Sequence, residues 1–295
     1  MFLRTLDAVI RTMRPRQWTK NLVIFAALVF DRQLGPNNPI PMLRTIAGFV
    51  ILCLVSGVVY IINDISDVEA DQKHPSKNKR PIASGQLSIN TARAVVIGLL
   101  VIIFPISIRL SPLFALVTLF YLLLNLAYSK WLKHIPLIDV FSIALGFVLR
   151  VLAGVTLIHV ARFSPWLYVI TTLGALYIGF GKRRAEISLL EDKANEHRKV
   201  LEGYTIKYLD QLISIVASTT IMAYSLYTFS APNLPENNIM MLTIPIVVYG
   251  IFRYLFIIQN KDTAGEPEEI FLTDRPLQTS MLLWGISILM IFYFY

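Results

Sequence analysis

Asn63-Asp64-Ile65-Ser66-Asp67-Val68-Glu69-Ala70-Asp71 closes the apolar stretch 44–62 and sets carboxylates at i, i+3 and i+7. At about 100° per residue, Asp64, Asp67 and Asp71 fall within roughly 60° of one another on a helix, and Glu69 points elsewhere. An acidic stripe at the end of an apolar segment has two readings. It is a solvated helix face, or it is a set of mutually repelling carboxylates relieved by a divalent cation. Mg2+ in particular is held by a few carboxylates together with substrate phosphates. The sequel Lys73, Lys77, Lys79 and Arg80 favours the second reading, because a basic run suits the phosphates that such a metal carries.

Composition fixes the setting of that stripe. With 55% hydrophobic and 16% charged residues over 295 positions, and a mean hydropathy of +0.61, the chain is too apolar for a soluble domain of this length. Apolar runs recur at approximately 18–33, 44–62, 93–109, 112–128, 136–158, 165–181, 208–229, 239–258 and 276–294, most of them near the roughly 20 residues that cross a bilayer. The expectation is an all-α integral membrane protein, a bundle of nine transmembrane helices forming a single domain over 1–295. The first span is the weakest, since its uninterrupted run, Leu22 to Phe30, is short and follows the polar and basic stretch Pro15 to Asn21. No small-residue cleavage site marks it as a signal peptide.

Orientation follows from the positive-inside rule. With nine spans and a cytoplasmic N-terminus, the outside connections and their flanks hold only Arg32, Arg44, Arg109 and Arg162 of the 27 basic residues, and Arg150 lies within a span. The net charge of +8 is then explained by cytoplasmic loops beside anionic lipid and calls for no nucleic acid. The single Cys53 excludes an intrachain disulfide, and the four histidines lack metal-ligand spacing. The outside connections are short, whereas the inside ones, 63–92, 181–207 and 259–275, are long and chemically loaded. Chemistry therefore belongs on the cytoplasmic face.

The second loaded connection reads Gly181-Lys182-Arg183-Arg184-Ala185-Glu186 and continues through Arg198-Lys199 to Glu202-Gly203-Tyr204-Thr205. Lys182 and Glu186 share a helix face at i, i+4, as an ordinary stabilising pair or as a phosphate ligand kept in place by a carboxylate. Opposite an acidic metal-binding stripe the functional reading gains weight, because metal-bound diphosphate leaves oxygens that Lys and Arg can neutralise. Arg150 interrupts the apolar run Phe141 to Val160, where an Arg costs about 2.5–3.5 kcal/mol on insertion scales. It lines a reaction cavity or forms a buried pair with a carboxylate; Asp139, about three turns away, is too distant to pair with it directly.

The Asn63-Asp64-x-x-Asp67-x-x-x-Asp71 motif after a transmembrane helix, in a chain of nine expected spans, resembles the UbiA superfamily of intramembrane prenyltransferases over nearly its whole length. Most members carry a second, DxxxD motif in the 6–7 connection; here Glu191-Asp192 and Glu196 lack that spacing. Three other stretches resemble the decaprenyl-phosphate phosphoribosyltransferase branch. They are Arg14-Pro15-x-Gln17-Trp18-x-Lys20-Asn21, then Gly181-Lys182-Arg183-x-Ala185-Glu186, and Gly265-Glu266-Pro267-Glu268-Glu269-Ile270 followed by Asp274-Arg275.

What the resemblance implies is Mg2+-dependent transfer of a 5-phosphoribosyl group from phosphoribosyl diphosphate to a polyprenyl phosphate, at the cytoplasmic face of a bacterial inner membrane. A lipid phosphate is already anionic at neutral pH, which fits a site without a candidate base such as a buried histidine. Asp64 and Asp67 are then expected to hold the metal, Asp71 to hold it directly or through water, and Asn63 to orient the cluster. Lys182, Arg183, Arg198 and Lys199 are candidates for the donor 5-phosphate, and Glu186 for a ribose hydroxyl. Tyr204 either does the same or anchors at the interface. Gln17, Lys20 and Asn21 meet the lipid headgroup or carry the topology signal, while Lys79 and Arg80 serve either phosphate. Glu266, Glu268 and Glu269 cap the site or solvate a loop. The rivals are an aromatic or quinone-pathway polyprenyltransferase of the same superfamily, and a transporter for a phosphorylated lipid. Gly146, Ala153 and Gly154 allow helix association into a homo-oligomer or serve internal packing.

Overall fold

The computed structural model describes residues 2–35, 38–74, 77–159, 165–191, 203–231, 234–260 and 267–294. Every regular element among them is helical. The solvent dictates this: in hydrocarbon each backbone N–H and C=O must be satisfied within the chain, and a helix does so along a single segment. In chain order the α-helices are α1 (Phe2–Thr12), α2 (Ala26–Phe30), α3 (Ile40–Ser66), α4 (Val68–Lys73), α5 (Ile89–Leu110) and α6 (Pro112–Lys130). There follow α7 (Ile138–Val155), α8 (Pro165–Glu191), α9 (Ile206–Ser230), α10 (Ile244–Asn260), α11 (Pro267–Thr273) and α12 (Arg275–Phe294).

Among the described residues, seven helical segments are long and apolar enough to cross a membrane: α3, α5, α6, α7, α9, Ile239–Asn260 with α10 as its α-helical part, and α12. The chain is a multi-pass membrane protein. Two of the nine expected spans look different. The first, 18–33, is a 3-10 segment, Pro15–Phe25, followed by the five-residue α2. Its length is unusual, since 3-10 runs seldom exceed three or four residues, and buried polar contacts hold it, as set out below. The sixth, 165–181, lies in the 27-residue α8. There Thr171, Thr172, Gly174, Gly179 and Gly181 dilute the apolar run, which then continues into Lys182, Arg183 and Arg184.

The chain divides into two compact units, Met1–Lys130 with Leu149–Ala161, and Trp131–Val148 with Arg162–Tyr295. In the first, Ile51, Leu52, Val55, Val58 and Ile61 of α3 form a buried core with Ile103 of α5, Phe114 and Val117 of α6, and Leu157. Glycine is required where backbones meet: a Cβ on Gly154 would stand 2.0 Å from the Ile24 carbonyl oxygen of the 3-10 segment. Ser88 caps α5 by accepting from the Thr91 amide at 3.1 Å, satisfying a donor that the first turn leaves open.

In the second unit, Val140 and Ala144 of α7 pack with Leu176 and Phe180 of α8, Leu209 and Ile213 of α9, Tyr254 and Ile257 of α10, and Leu277 of α12. Thr205 caps α9 through the Tyr208 amide at 3.2 Å. Outward faces are apolar too, with Ile97 and Val101 on α5 and Leu282 on α12 exposed, as a lipid-facing surface requires.

Candidate active site

Asp64 lies three residues before the start of α4's N-cap, on the last turn of α3, and the helix does not continue unbroken past it. Asp67 sits between α3 and α4 with φ −97° and ψ 6°, so the ideal acidic stripe is turned at its middle member. The outcome separates the three carboxylates. Asp64 and Asp71 are buried, while Asp67 is exposed and makes no ion pair with a described residue. One Arg80 nitrogen, Nη1, donates to Asp64 Oδ1 at 3.2 Å and to Asp71 Oδ2 at 2.6 Å. Arg14 Nη2 donates to Asp64 Oδ1 at 2.7 Å, and its guanidinium lies 4.8 Å from the centre of the Tyr60 ring. Asn63 is half-buried and its carbonyl accepts from the Asp67 amide at 2.9 Å; Lys79 is exposed.

Arg14 belongs to the Arg14–Asn21 motif, and its place in the sequence does not mark it as a partner of the carboxylates. Its backbone is left-handed, φ 52° and ψ 67°, in a residue whose neighbour Pro15 already disfavours the right-handed helical region. Such a conformation costs on the order of 1–3 kcal/mol and persists where surrounding contacts impose it; the Asp64 and Tyr60 contacts are those at hand.

Among the described residues no three His, Cys, Asp or Glu side chains converge as a metal held by protein alone would need. Mg2+ asks for less, one or two carboxylates completed by phosphate oxygens and water. Asp64 and Asp71 fit that demand, since both reach a single guanidinium nitrogen and each has a second oxygen to offer.

The 3-10 segment delivers the rest of its motif to the same unit. Gln17 and Lys20 are half-buried and Asn21 is fully buried. Trp18 Nε1 donates to the Met13 carbonyl at 3.2 Å, fastening the segment to the end of α1. Asn21 Nδ2 donates to Ser56 Oγ at 3.3 Å and to Cys53 Sγ at 3.4 Å. Its Oδ1 accepts from Arg150 Nε at 2.8 Å, and Arg150 Nη2 donates to the Tyr121 hydroxyl at 2.6 Å, which lies 3.2 Å from Ser56 Oγ. Arg150 is thus held by an amide and a phenol, and its guanidinium also stacks 4.7 Å from the Tyr121 ring centre. This buried network ties α7, α6, α3 and the 3-10 segment together. Asn21 is engaged inside it.

In the second unit, the cationic end of α8 is organised by Asp139 of α7. Arg183 Nε donates to Asp139 Oδ2 at 2.6 Å, and Tyr204 donates its hydroxyl hydrogen to Asp139 Oδ1 at 2.7 Å. Arg183 and Asp139 are 1% and 0% exposed at the side chain. Arg183 Nη1 also donates to Glu186. The expected Lys182–Glu186 pair is therefore replaced by an i, i+3 pair, and Lys182 is half-buried without an ion pair to a described residue. Tyr204 is buried and engaged within its unit, and its oxygen accepts from the Leu137 amide at 2.5 Å. Burial pushes its hydroxyl above the usual phenol range, so it stays a neutral donor. Arg184 pairs with Asp210 at 2.6 Å.

Arg198, Lys199 and Glu266 lie outside the described residues, as do the side chains of Glu268 and Glu269. Asp274 is bidentate with Arg253 at 3.1 and 2.8 Å and caps α12 through the Leu277 amide at 2.9 Å. Tyr121, Ser56 and Asp139 carried no signal in the sequence as partners, because their contacts close over long chain separations. In the sequence Asp139 stands out only by being too far from Arg150 to pair with it.

The family model described as the UbiA prenyltransferase family matches residues 22–273, and the chain belongs to that family. A decaprenyl-phosphate phosphoribosyltransferase from Corynebacterium glutamicum is 33% identical over 294 residues, covering 97% of this chain and 87% of that one. A protein of the same name from Mycobacterium tuberculosis is 34% identical over 278 residues, covering 94% and 91%. Among solved structures, a UbiA homolog from Archaeoglobus fulgidus bound to GPP and Mg2+ superimposes with a TM-score of 0.72 at 18% identity, covering 95% of this chain and 96% of that one.

Proposed function

We propose that this chain transfers the 5-phosphoribosyl group of phosphoribosyl diphosphate to a polyprenyl phosphate of the decaprenyl type, with release of diphosphate. The observation that carries the reading is the buried Asp64–Asp71 pair at the end of a membrane helix, joined through Arg80. The relatives' name supplies the acceptor, a decaprenyl phosphate, and the phosphoribosyl group that is moved; a diphosphate on that group is the leaving group that the carboxylates and a metal would suit. The bond that forms joins a lipid phosphate oxygen to ribose C1; the bond that breaks joins C1 to diphosphate. The nucleophile is already ionised, so no proton has to be removed, and attack opposite the leaving group inverts C1.

A bound Mg2+ would supply charge neutralisation for the diphosphate leaving group. Asp64 and Asp71 would hold it, Asp67 at the exposed edge would add a further oxygen, and Asn63 would orient the turn between them. Arg14 and Arg80 balance the two buried carboxylates. Lys182, Arg198 and Lys199 supply charge for the donor 5-phosphate. Arg183 and Glu186 act by fixing the end of α8, given their engagement with Asp139 and each other. Gln17 and Lys20, with Lys79, meet the lipid phosphate, and Asn21 and Arg150 hold the segment that carries the first two. The chain works as one transmembrane domain over 1–295, with the 3-10 segment and α8 completing nine membrane-embedded segments. Its N-terminus and chemistry face the cytoplasm of a bacterium, with homo-oligomers open to it.

The test is incubation of the purified protein in detergent with labelled phosphoribosyl diphosphate, a polyprenyl phosphate and Mg2+, with EDTA as control. Label entering the organic phase only with metal is the expected result. No such transfer, together with prenylation of an aromatic acid from a polyprenyl diphosphate, would place the chain in another branch of the family.

A further inference from the structure

We infer that α1 is a membrane-surface helix seated in the anionic headgroup layer of the bilayer that the chain itself spans. Three stripes run along it. Ala8, Val9 and Thr12 are buried against the first unit's core. Leu3, Leu6 and Ile10, at i, i+3 and i+7, are 77%, 45% and 43% exposed. Arg4, Asp7 and Arg11 repeat the same spacing one position on, roughly 100° around the helix, and are exposed as well. An apolar stripe beside a charged one, on a helix already packed along its third side, fits neither bulk water nor hydrocarbon. Its 11 residues give a length of about 16 Å, too short to cross the roughly 30 Å hydrocarbon core. The boundary between headgroups and acyl chains satisfies both faces at once.

Placement and charge identify the occupant. Arg11 Nη2 donates to Gln86 Oε1 at 2.6 Å, two residues before Ser88, which caps the N-terminus of α5. That holds α1 at an end of the spans and away from their middle. Asp7 pairs with Arg11 at 2.9 Å, while Arg4 has no ion pair with a described residue, and Arg16, Lys77 and Lys79 are also exposed on this unit. The excess of cations suits anionic lipid, whose attraction adds to the burial of the apolar stripe. Met13 follows directly, packed so closely on Gly57 of α3 that a Cβ there would stand 2.4 Å from the Met13 Cε. Arg14, the partner of Asp64, comes next.

Cys53 is buried, so a thiol label can be directed to cysteines introduced singly as Leu3→Cys, Arg4→Cys, Leu6→Cys and Asp7→Cys. The full-length variants are placed in nanodiscs of phosphatidylcholine, with or without phosphatidylglycerol, containing lipids with a nitroxide near the top of the acyl chain. Labels at 3 and 6 are expected to be quenched several-fold more than labels at 4 and 7, with the contrast growing as phosphatidylglycerol is added. Equal quenching within both pairs would overturn the inference, as would a contrast indifferent to lipid charge. Label self-quenching that requires two copies per disc would give the apolar stripe to a second chain instead. Each pair is read by itself, so loss of one variant leaves the other decisive. As a further check, Leu3→Glu combined with Ile10→Cys should release the label at 10 from the quencher, and persistence of quenching there would also overturn it.

Discussion

A carboxylate as buried as Asp64 on the last turn of a hydrocarbon-spanning helix calls for cations to come to it. Arg14 and Arg80 do so at 2.7 and 3.2 Å. Asp64→Asn and Asp71→Asn keep the volume and abolish the charge; label transfer is expected to fall by about a hundredfold or more, while the proteins still insert and purify. Near-normal turnover in either would remove that residue from the site. Arg183 and Asp139 belong to another class, because both are almost fully buried and face each other. Removing one partner leaves a buried charge, so Asp139→Asn or Arg183→Met should lower stability by about 3–5 kcal/mol, read as the unfolding midpoint in detergent. The combined Asp139→Leu and Arg183→Met variant should lose less than either alone. A double variant as unstable as the sum of its parts would show that the two residues are not coupled and would refute the charge-pair account.

At the scale of elements, the 3-10 segment depends on close approach and on a forked donor. Gly154→Ala drives a Cβ into the Ile24 carbonyl, a backbone atom that cannot swing aside, and is expected to cost about 1–3 kcal/mol. Gly98→Ala on α5 meets nothing within 4 Å and should be neutral or stabilise by about 0.5–1 kcal/mol, so thermal unfolding of the two should move in opposite senses. Arg150 uses Nε toward Asn21 and Nη2 toward Tyr121, a geometry that a single ammonium cannot copy. Arg150→Lys should therefore be nearly as unstable as Arg150→Met; a lysine that restored the midpoint would mean that charge alone matters there. The spans themselves were legible as long apolar runs. The 3-10 segment was not, because its backbone is fixed by contacts of Asn21 and Ile24 to Ser56, Arg150 and Gly154, residues far away in the chain.

For the whole molecule, the proposed division of labour between metal-holding carboxylates and phosphate-holding cations predicts a separable effect. Lys182→Ala should raise the KM for phosphoribosyl diphosphate and leave that for the polyprenyl phosphate unchanged; equal changes in both would refute its donor role. The sequence by itself determined that the chain is a helical, multi-pass membrane protein, which family it belongs to, and where its carboxylates and cations cluster. Those properties follow from hydropathy over some twenty residues and from motifs a few residues long. Only the tertiary structure decided that Asp64 pairs with Asp71 through Arg80 while Asp67 turns outward. It likewise decided that Glu186 takes Arg183 and leaves Lys182, and that Asp139 gathers Arg183 and Tyr204. A break in helical register at Asp67 changes which side chains share a face. Buried charges then take whichever partner the packing brings within hydrogen-bond reach, because in a low-dielectric interior an unmatched one is too costly to keep.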